Sequence, residues 1–262
     1  MKKYIITALL LVIALIFVGC TGEQGTASTS DGQTDTTNQQ NQQQDTNSSS
    51  NETAHKEEKV SAEITQTALQ AWKDSIGTIW AHGAIEITNT GNVPIKIGDI
   101  SISFVGDDNS ILGTMNMILP VPKIILPGET AYAGDSAIIE GIDNPAKIVK
   151  IEANIDYDKT DKQPQLLEIQ DLKITPSNFG GPKVTGRVVN ISNENADDIR
   201  IIIAMFDEND KLLGIYNSSL DVTLAPEKNM GFEVSYPPIK TKDFANKVKK
   251  MIGKAYNWKF DF

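Results

Sequence analysis

The feature that most limits how this chain can fold is an internal repeat at an offset of 101 residues. The segment Asn89-Thr90-Gly91-Asn92 is matched, 101 positions later, by Asn190-Ile191-Ser192-Asn193. Several further segments match at the same or nearly the same offset. Such a match predicts two copies of one domain, each about a hundred residues long. The other matched segments are Ile100, Ile102 and Phe104 with Ile201, Ile203 and Met205; Ile111-Leu112-Gly113 with Leu212-Leu213-Gly214; and, two residues closer, Leu126-Pro127-Gly128-Glu129 with Ala225-Pro226-Glu227.

Each copy has the residue pattern of β-strands joined by tight turns. Residues 100–104 alternate apolar and serine side chains, which is the period of a half-buried strand. The acidic segment 107–109 that follows is typical of a hairpin turn, because Asp and Asn tolerate turn conformations. Several such strands per copy predict an all-β fold of two tandem immunoglobulin-like β-sandwich domains, at residues 61–160 and 161–262. Helical spacing occurs after Thr241, where we expect a short helix before the last strand.

The first twenty residues have the pattern of a secretory signal. Met1-Lys2-Lys3 supplies positive charge, and the apolar segment 4–18 is shorter than the roughly twenty residues that a membrane-spanning helix needs. The segment Phe17-Val18-Gly19-Cys20 resembles the lipobox of prokaryotic lipoproteins, with Phe where Leu is usual. The resemblance implies that residues 1–20 are a lipoprotein signal peptide and that acylated Cys20 becomes the mature N-terminus. The alternatives are an uncleaved signal anchor and an ordinary signal peptide with a cysteine nearby.

The polar composition of residues 21–60 predicts a disordered tether. From Thr21 to Lys59 the chain has no Val, Ile, Leu, Met or aromatic residue, so it cannot bury enough apolar surface to offset the entropy of ordering. A flexible chain of this length spans about 35 Å root-mean-square. We interpret the segment as a spacer between the membrane and the domains; a Gln/Asn-rich interaction segment is the alternative.

Four segments of the second copy carry a resemblance to a known family. They are Gly186–Asn190, Met205–Lys211, Leu224–Glu227 and Phe232. Together they resemble the FxLYD domain of prokaryotic surface lipoproteins, with Met205-Phe206 where the family usually has a Leu-Tyr pair. The resemblance implies an immunoglobulin-like sandwich with no assigned chemistry.

Composition argues against several classes of function. The net charge is −10, and an acidic chain is a poor nucleic-acid binder because phosphate contacts need clustered Lys and Arg. Two histidines, His55 and His82, and the single Cys20 are too few for a zinc or copper site, so we expect no metal or other cofactor. Calcium at Asp207–Asp210 is a weaker alternative, since that segment lacks the glycine and distal glutamate of an EF-hand. No nucleophile-elbow glycines accompany a serine, and we expect no enzymatic activity.

The C-terminal strand is the one place where the sequence predicts a binding face. Tyr256, Trp258, Phe260 and Phe262 occupy every second position and would project to one side of a strand. We expect Tyr256 and Trp258 to belong to the core, and Phe260 and Phe262 to lie beyond it among lysines. Such a basic, aromatic surface suits an acidic envelope polymer or a partner protein. The expected binding face consists of Phe260, Phe262, Lys254 and Lys259.

These observations predict a non-catalytic extracytoplasmic lipoprotein that presents two tethered β-sandwich modules for binding at the cell envelope. The lipid bilayer is the expected partner of acylated Cys20, because two or more acyl chains hold a protein stably on a membrane. The alternatives are a structural or stress-related envelope protein without a single ligand and, less favoured, an enzyme with an unrecognised site.

Overall fold

A computed structural model describes residues 57–177 and 181–258. The predicted signal peptide, Cys20, nearly all of the predicted tether, and the expected binding-face residues Lys259, Phe260 and Phe262 lie outside these ranges, and the predictions about them stay predictions. The described residues belong to one compact unit, which spans residues 54–262.

The described chain is almost entirely β, which confirms the predicted all-β class. The strands of the first half are β1 (Ala62–Lys73), β2 (Ile79–Asn89), β3 (Ile95–Gly106), β4 (Ile111–Met115), β5 (Ile124–Ile125), β6 (Thr130–Ile138) and β7 (Ile148–Lys159). Those of the second half are β8 (Leu166–Thr175), β9 (Lys183–Val189), β10 (Ile199–Phe206), β11 (Leu212–Leu220), β12 (Asn229–Val234) and β13 (Lys250–Asn257). The expected short helix, α1 (Phe244–Lys247), precedes the last strand.

Each half is an antiparallel β-sandwich around its own apolar core, as predicted. In the first half the β1-β2-β6 sheet packs on a sheet in which β3 pairs with β4, β5 and β7. In the second half β11-β10-β13 packs on β8-β9-β12, and β8 joins both sheets because its first two residues pair with β13 and the rest with β9. Residues 160–165 connect the two halves between β7 and β8.

The repeat found in the sequence recurs in the pairing of the strands. In the β3–β4 hairpin Ile102 pairs with Met115 and Phe104 with Gly113. In the β10–β11 hairpin Ile203 pairs with Tyr216 and Met205 with Gly214, which are the same positions 101 residues later. Both hairpins shift register at the same point, so the two copies share even their irregularity.

A buried asparagine holds the same turn in each half. Asn89 Nδ2 donates to the carbonyl oxygens of Val93 and Ile125, both at 2.9 Å. Asn190 Nδ2 donates likewise to Glu194 at 2.7 Å and Leu224 at 2.8 Å. Each side-chain oxygen also accepts from the backbone N–H two residues later. Because a buried amide costs free energy unless it is hydrogen-bonded, the matched Asn89 and Asn190 are structural.

The copies differ in the outer face of one strand. In β3 the outward residues Ser101 and Ser103 are half-exposed. In β10 the matching residues are Ile202 and Ala204, and both are fully buried. A strand that is apolar on both faces must be covered on both faces. The first half of the chain packs against the outer face of β10.

Candidate functional site

The two halves meet in a third apolar cluster, which we call the seam. The outer face of β1-β2-β6 contributes Ala68, Ala84 and Tyr132, with Val121 beside them, and the outer face of β10-β11-β13 contributes Ile202, Ala204, Phe206, Leu212, Ile215 and Tyr256. The rings of Tyr132 and Phe206 meet edge to face with centroids 6.0 Å apart. Their closeness is typical of a favourable aromatic pair.

Hydrogen bonds across the seam fix the register of the halves. Gln66 Oε1 accepts from the backbone N–H of Leu212 at 2.8 Å, and Gln70 Nε2 donates to the carbonyl of Leu213 at 2.9 Å. Asn217 Nδ2 donates to the carbonyl of Gly134 at 3.3 Å. Side chains of one half thereby satisfy backbone groups of the other, so the halves form one body.

His82 is the buried polar centre of the seam. Its Nε2 accepts from the backbone N–H of Ile215 at 3.1 Å, and its Nδ1 lies 3.1 Å from Ser136 Oγ. Because the Ser136 hydroxyl donates to the carbonyl of Pro238 at 3.0 Å, His82 Nδ1 carries the proton and donates to Ser136. Burial lowers the pKa of His82 to about 3, so the ring is neutral and both nitrogens are used.

Lys254, from the expected binding face, lies at the edge of the seam. Its Nζ donates to the carbonyl of Thr130 at 2.6 Å and lies 4.0 Å from the Glu129 carboxylate. The side chain is 21% exposed. Burial lowers the pKa of this ammonium, and the nearby Glu129 and Glu86 partly oppose the effect. Lys254 therefore contributes to the contact between the halves.

A cleft of about 510 Å³ opens where the seam meets the connecting segment. We call it the seam cleft. Its lining is basic and aromatic, with a single carboxylate, and comes from both halves. The lining residues are Lys96, Lys123 and Ile124 of the first half, Lys162, Gln163, Pro164 and Gln165 of the connection, and Glu194, Tyr256, Asn257 and Trp258 of the second half.

Two of the three lysines that line this cleft, Lys96 and Lys123, come from the first half. Lys96 lies on β3 between the fully buried Ile95 and Ile97, so its side chain projects away from the sandwich core. Lys123 is held beside it because its carbonyl accepts from the N–H of Ile97 at 2.9 Å. Within residues 57–177 and 181–258, neither ammonium group has an ion-pair or hydrogen-bond partner. Both are half-buried and available to an anion.

The opposite wall of the seam cleft is held by a chain of hydrogen bonds and a stacked pair. Gln165 Oε1 accepts from Asn257 Nδ2 at 2.6 Å, and Asn257 Oδ1 accepts from the N–H of Asp197 at 3.0 Å. The Arg200 guanidinium carbon lies 3.6 Å from the ring centroid of Trp258, a cation–π contact. This wall is thus fixed before any ligand arrives.

The expected binding face is divided by the structure. Tyr256 is buried in the seam, and burial raises its pKa to about 12. Trp258, which was also expected in the core, is half-buried and lines the seam cleft. Phe260 and Phe262 lie outside the described ranges. Lys96 and Lys123 were not predicted from the sequence. The repeat gives no signal for Lys96, since Asp197 occupies the equivalent position in the second copy.

Within the described residues, no group of three His, Cys, Asp or Glu side chains is arranged to hold a metal ion. In the same ranges, none of the helices has the length and apolarity needed to cross a bilayer.

Comparison with known proteins gives no family. Neither a protein-family model nor a curated protein matches this chain. Among solved structures, it is similar to the crystal structure of red sea bream transglutaminase, with 10% sequence identity and a TM-score of 0.18, over 65% of this chain. The match spans 27% of that structure, about a quarter of its length. A TM-score this low carries no argument about fold or activity.

Proposed function

We propose that this chain is a lipid-anchored extracytoplasmic protein whose two fused sandwiches form a non-catalytic binding unit, and that the seam cleft takes an acidic component of the cell envelope. The observation that carries the proposal is the pair of ammonium groups of Lys96 and Lys123, which have no partner among the described residues and lie in a preformed cleft of an otherwise acidic chain. Concave sites with a few well-placed charged groups are typical of ligand binding.

The lipid anchor rests on the lipobox-like residues before Cys20. Cells that express the wild-type chain and are fed a labelled fatty acid are expected to yield a labelled, membrane-bound protein. Cys20→Ala removes the acylated thiol and is expected to abolish the label and to release the protein from membranes. An alanine variant that stayed labelled and bound would remove the anchor from the proposal.

Binding in the seam cleft is tested with the soluble chain 21–262. All described strands, both cores and the seam lie within the compact unit 54–262, so this chain keeps the folded part whole. Lys96→Gln/Lys123→Gln is expected to weaken binding to purified cell envelope by about a hundredfold, because each of the two lost charged hydrogen bonds is worth about 1.5 kcal/mol or more. Wild-type binding is also expected to weaken as salt rises.

The matched control is Lys173→Gln/Lys228→Gln, which removes the same charge from exposed positions of the second half. It is expected to bind envelope like the wild type. Equal losses in both double variants would show a general charge effect and count against the seam cleft. The readout is a binding curve from co-sedimentation at several salt concentrations.

A further inference from the structure

A second, apolar cavity adjoins the seam cleft. It has a volume of about 120 Å³ and shares two lining residues, Ile124 and Pro164, with the cleft. We call it the annex. Nine of its twelve lining residues are apolar, among them Leu126 and Leu166. The remaining three are Glu129, Thr130 and Lys254; Lys254 Nζ donates to the carbonyl of Thr130 and lies 4.0 Å from the Glu129 carboxylate, so this ammonium is already engaged.

The basic seam cleft and the apolar annex therefore lie side by side where the two halves meet. We propose that the seam binds an anionic amphiphile, with a phosphate or carboxylate head against Lys96 and Lys123 and a short hydrocarbon segment in the annex. This rests on the proposed function and names the ligand class of the same site. The head gains charge-assisted hydrogen bonds, and the chain gains the free energy of leaving water.

The size of the annex limits how much of the chain it can hold. Its volume equals the share of about four water molecules in the liquid. Only the first few methylenes next to the head group fit, and the rest of a longer chain stays outside. A binding free energy that rises with chain length and then levels off is the signature of such a cavity.

The position where the folded unit begins favours a ligand found near a membrane. Asn92 binds both ends of the segment Glu57–Lys59, and Glu58 bridges to Lys159 at 2.6 Å. Lys159 pairs with Ile95, the residue before Lys96. The chain therefore enters the folded unit beside the end of β7 that pairs with the start of β3, the strand that carries Lys96. A lipid-anchored tether would keep this end of the molecule within reach of membrane amphiphiles.

The experiment measures the affinity of soluble chain 21–262 for monoalkyl phosphates of increasing length, from methyl to octyl, by calorimetry at monomeric concentrations. Affinity is expected to rise about fourfold for each added methylene and to level off once the annex is full. Lys96→Gln/Lys123→Gln is expected to lower the affinity for every phosphate by a similar factor, about a hundredfold.

Leu166→Gln tests the annex separately from the head-group site. Leu166 is 40% exposed at the annex rim, so the change is tolerable to the fold. It is expected to flatten the dependence on chain length while leaving methyl phosphate binding unchanged. Leu119→Gln, at a residue that is 44% exposed and lines neither cavity, is the matched control and is expected to keep the wild-type series.

The outcomes separate the ligand class from the proposed function. If binding depended on Lys96 and Lys123 but affinity did not rise with chain length, the amphiphile proposal would be overturned and the proposed anion site in the seam cleft would stand. If affinity rose with chain length but was the same in the wild type and in Lys96→Gln/Lys123→Gln, the binding would be unspecific hydrophobic association, and the amphiphile proposal would be overturned. Binding of neither alkyl phosphates nor envelope would overturn both proposals.

A vesicle arm identifies the source of the amphiphile. Lysine-dependent binding to phosphatidylglycerol vesicles, and not to phosphatidylcholine vesicles, would support the bilayer as the source. Binding to monomers alone would support a free amphiphile.

Discussion

Phe206→Ala is expected to lower the free energy of unfolding by about 3–5 kcal/mol, although Phe206 belongs to the core of neither sandwich. The side chain is 2% exposed and packs edge-on against Tyr132 of the first half. Removing it leaves a cavity between two rigid sheets, which cannot close without shifting the hydrogen bonds that register the halves. The expected loss is as large as that from a mutation in a sandwich core.

The measurement should also show that the loss is shared by the first half. In a Trp258→Phe background the remaining tryptophans are Trp72 and Trp80, which stack on each other in the first half with ring centroids 6.2 Å apart. Their fluorescence then reports unfolding of the first half during denaturant titration. Phe206→Ala lies in the second half and is expected to move that midpoint to lower denaturant. A midpoint that stayed in place would mean that the seam does not couple the halves.

Stability is expected to fall on acidification because of His82. Its pKa is about 3 in the folded protein and about 6.5 in an unfolded chain. Below pH 6.5 the His82 imidazole is protonated in the unfolded state but stays neutral in the folded state. Its full contribution to stability is therefore present above pH 6.5 and is lost as the pH falls toward 3. The slope is about 1.4 kcal/mol per pH unit. Between pH 7 and pH 5 the loss from this one residue is about 2 kcal/mol.

The control for this effect is His82→Gln, which keeps a hydrogen-bond acceptor and donor without a titrating group. The difference in unfolding free energy between wild type and variant is expected to shrink by about 2 kcal/mol between pH 7 and pH 5. The comparison cancels titration of His55 and of the carboxylates, because both proteins share them. Parallel pH profiles would show that His82 titrates normally and is not enclosed by the seam.

Sequence reasoning reached the fold because the repeat reports local structure. The alternation at Ile100–Phe104, the acidic turns and the matched asparagines all act within one copy, where pattern and spacing carry the information. Ser101 and Ser103 of the first copy are replaced by Ile202 and Ala204 in the second. This difference was a usable signal that β10 is buried on both of its faces.

The candidate site was out of reach for a different reason. Lys96 and Lys123 become neighbours of Trp258 only when the halves dock, and no periodicity in the sequence encodes the docking of two folded bodies. The same holds for His82, whose partners Ser136 and Ile215 lie far away in the chain. Residues of this kind become recognisable only after the contact surface is known.

The two-sided burial of β10 also bears on aggregation. Ile201-Ile202-Ile203-Ala204-Met205-Phe206 is an uncharged, β-prone run of the kind that stacks into cross-β assemblies when it is left uncovered. Arg200 and Asp207 flank it as charged gatekeepers. Synthesis starts at the N-terminus, so the first half, which covers the outer side of this strand, is made before the strand itself. The order of the two copies along the chain therefore makes the covering half available before the strand that it covers.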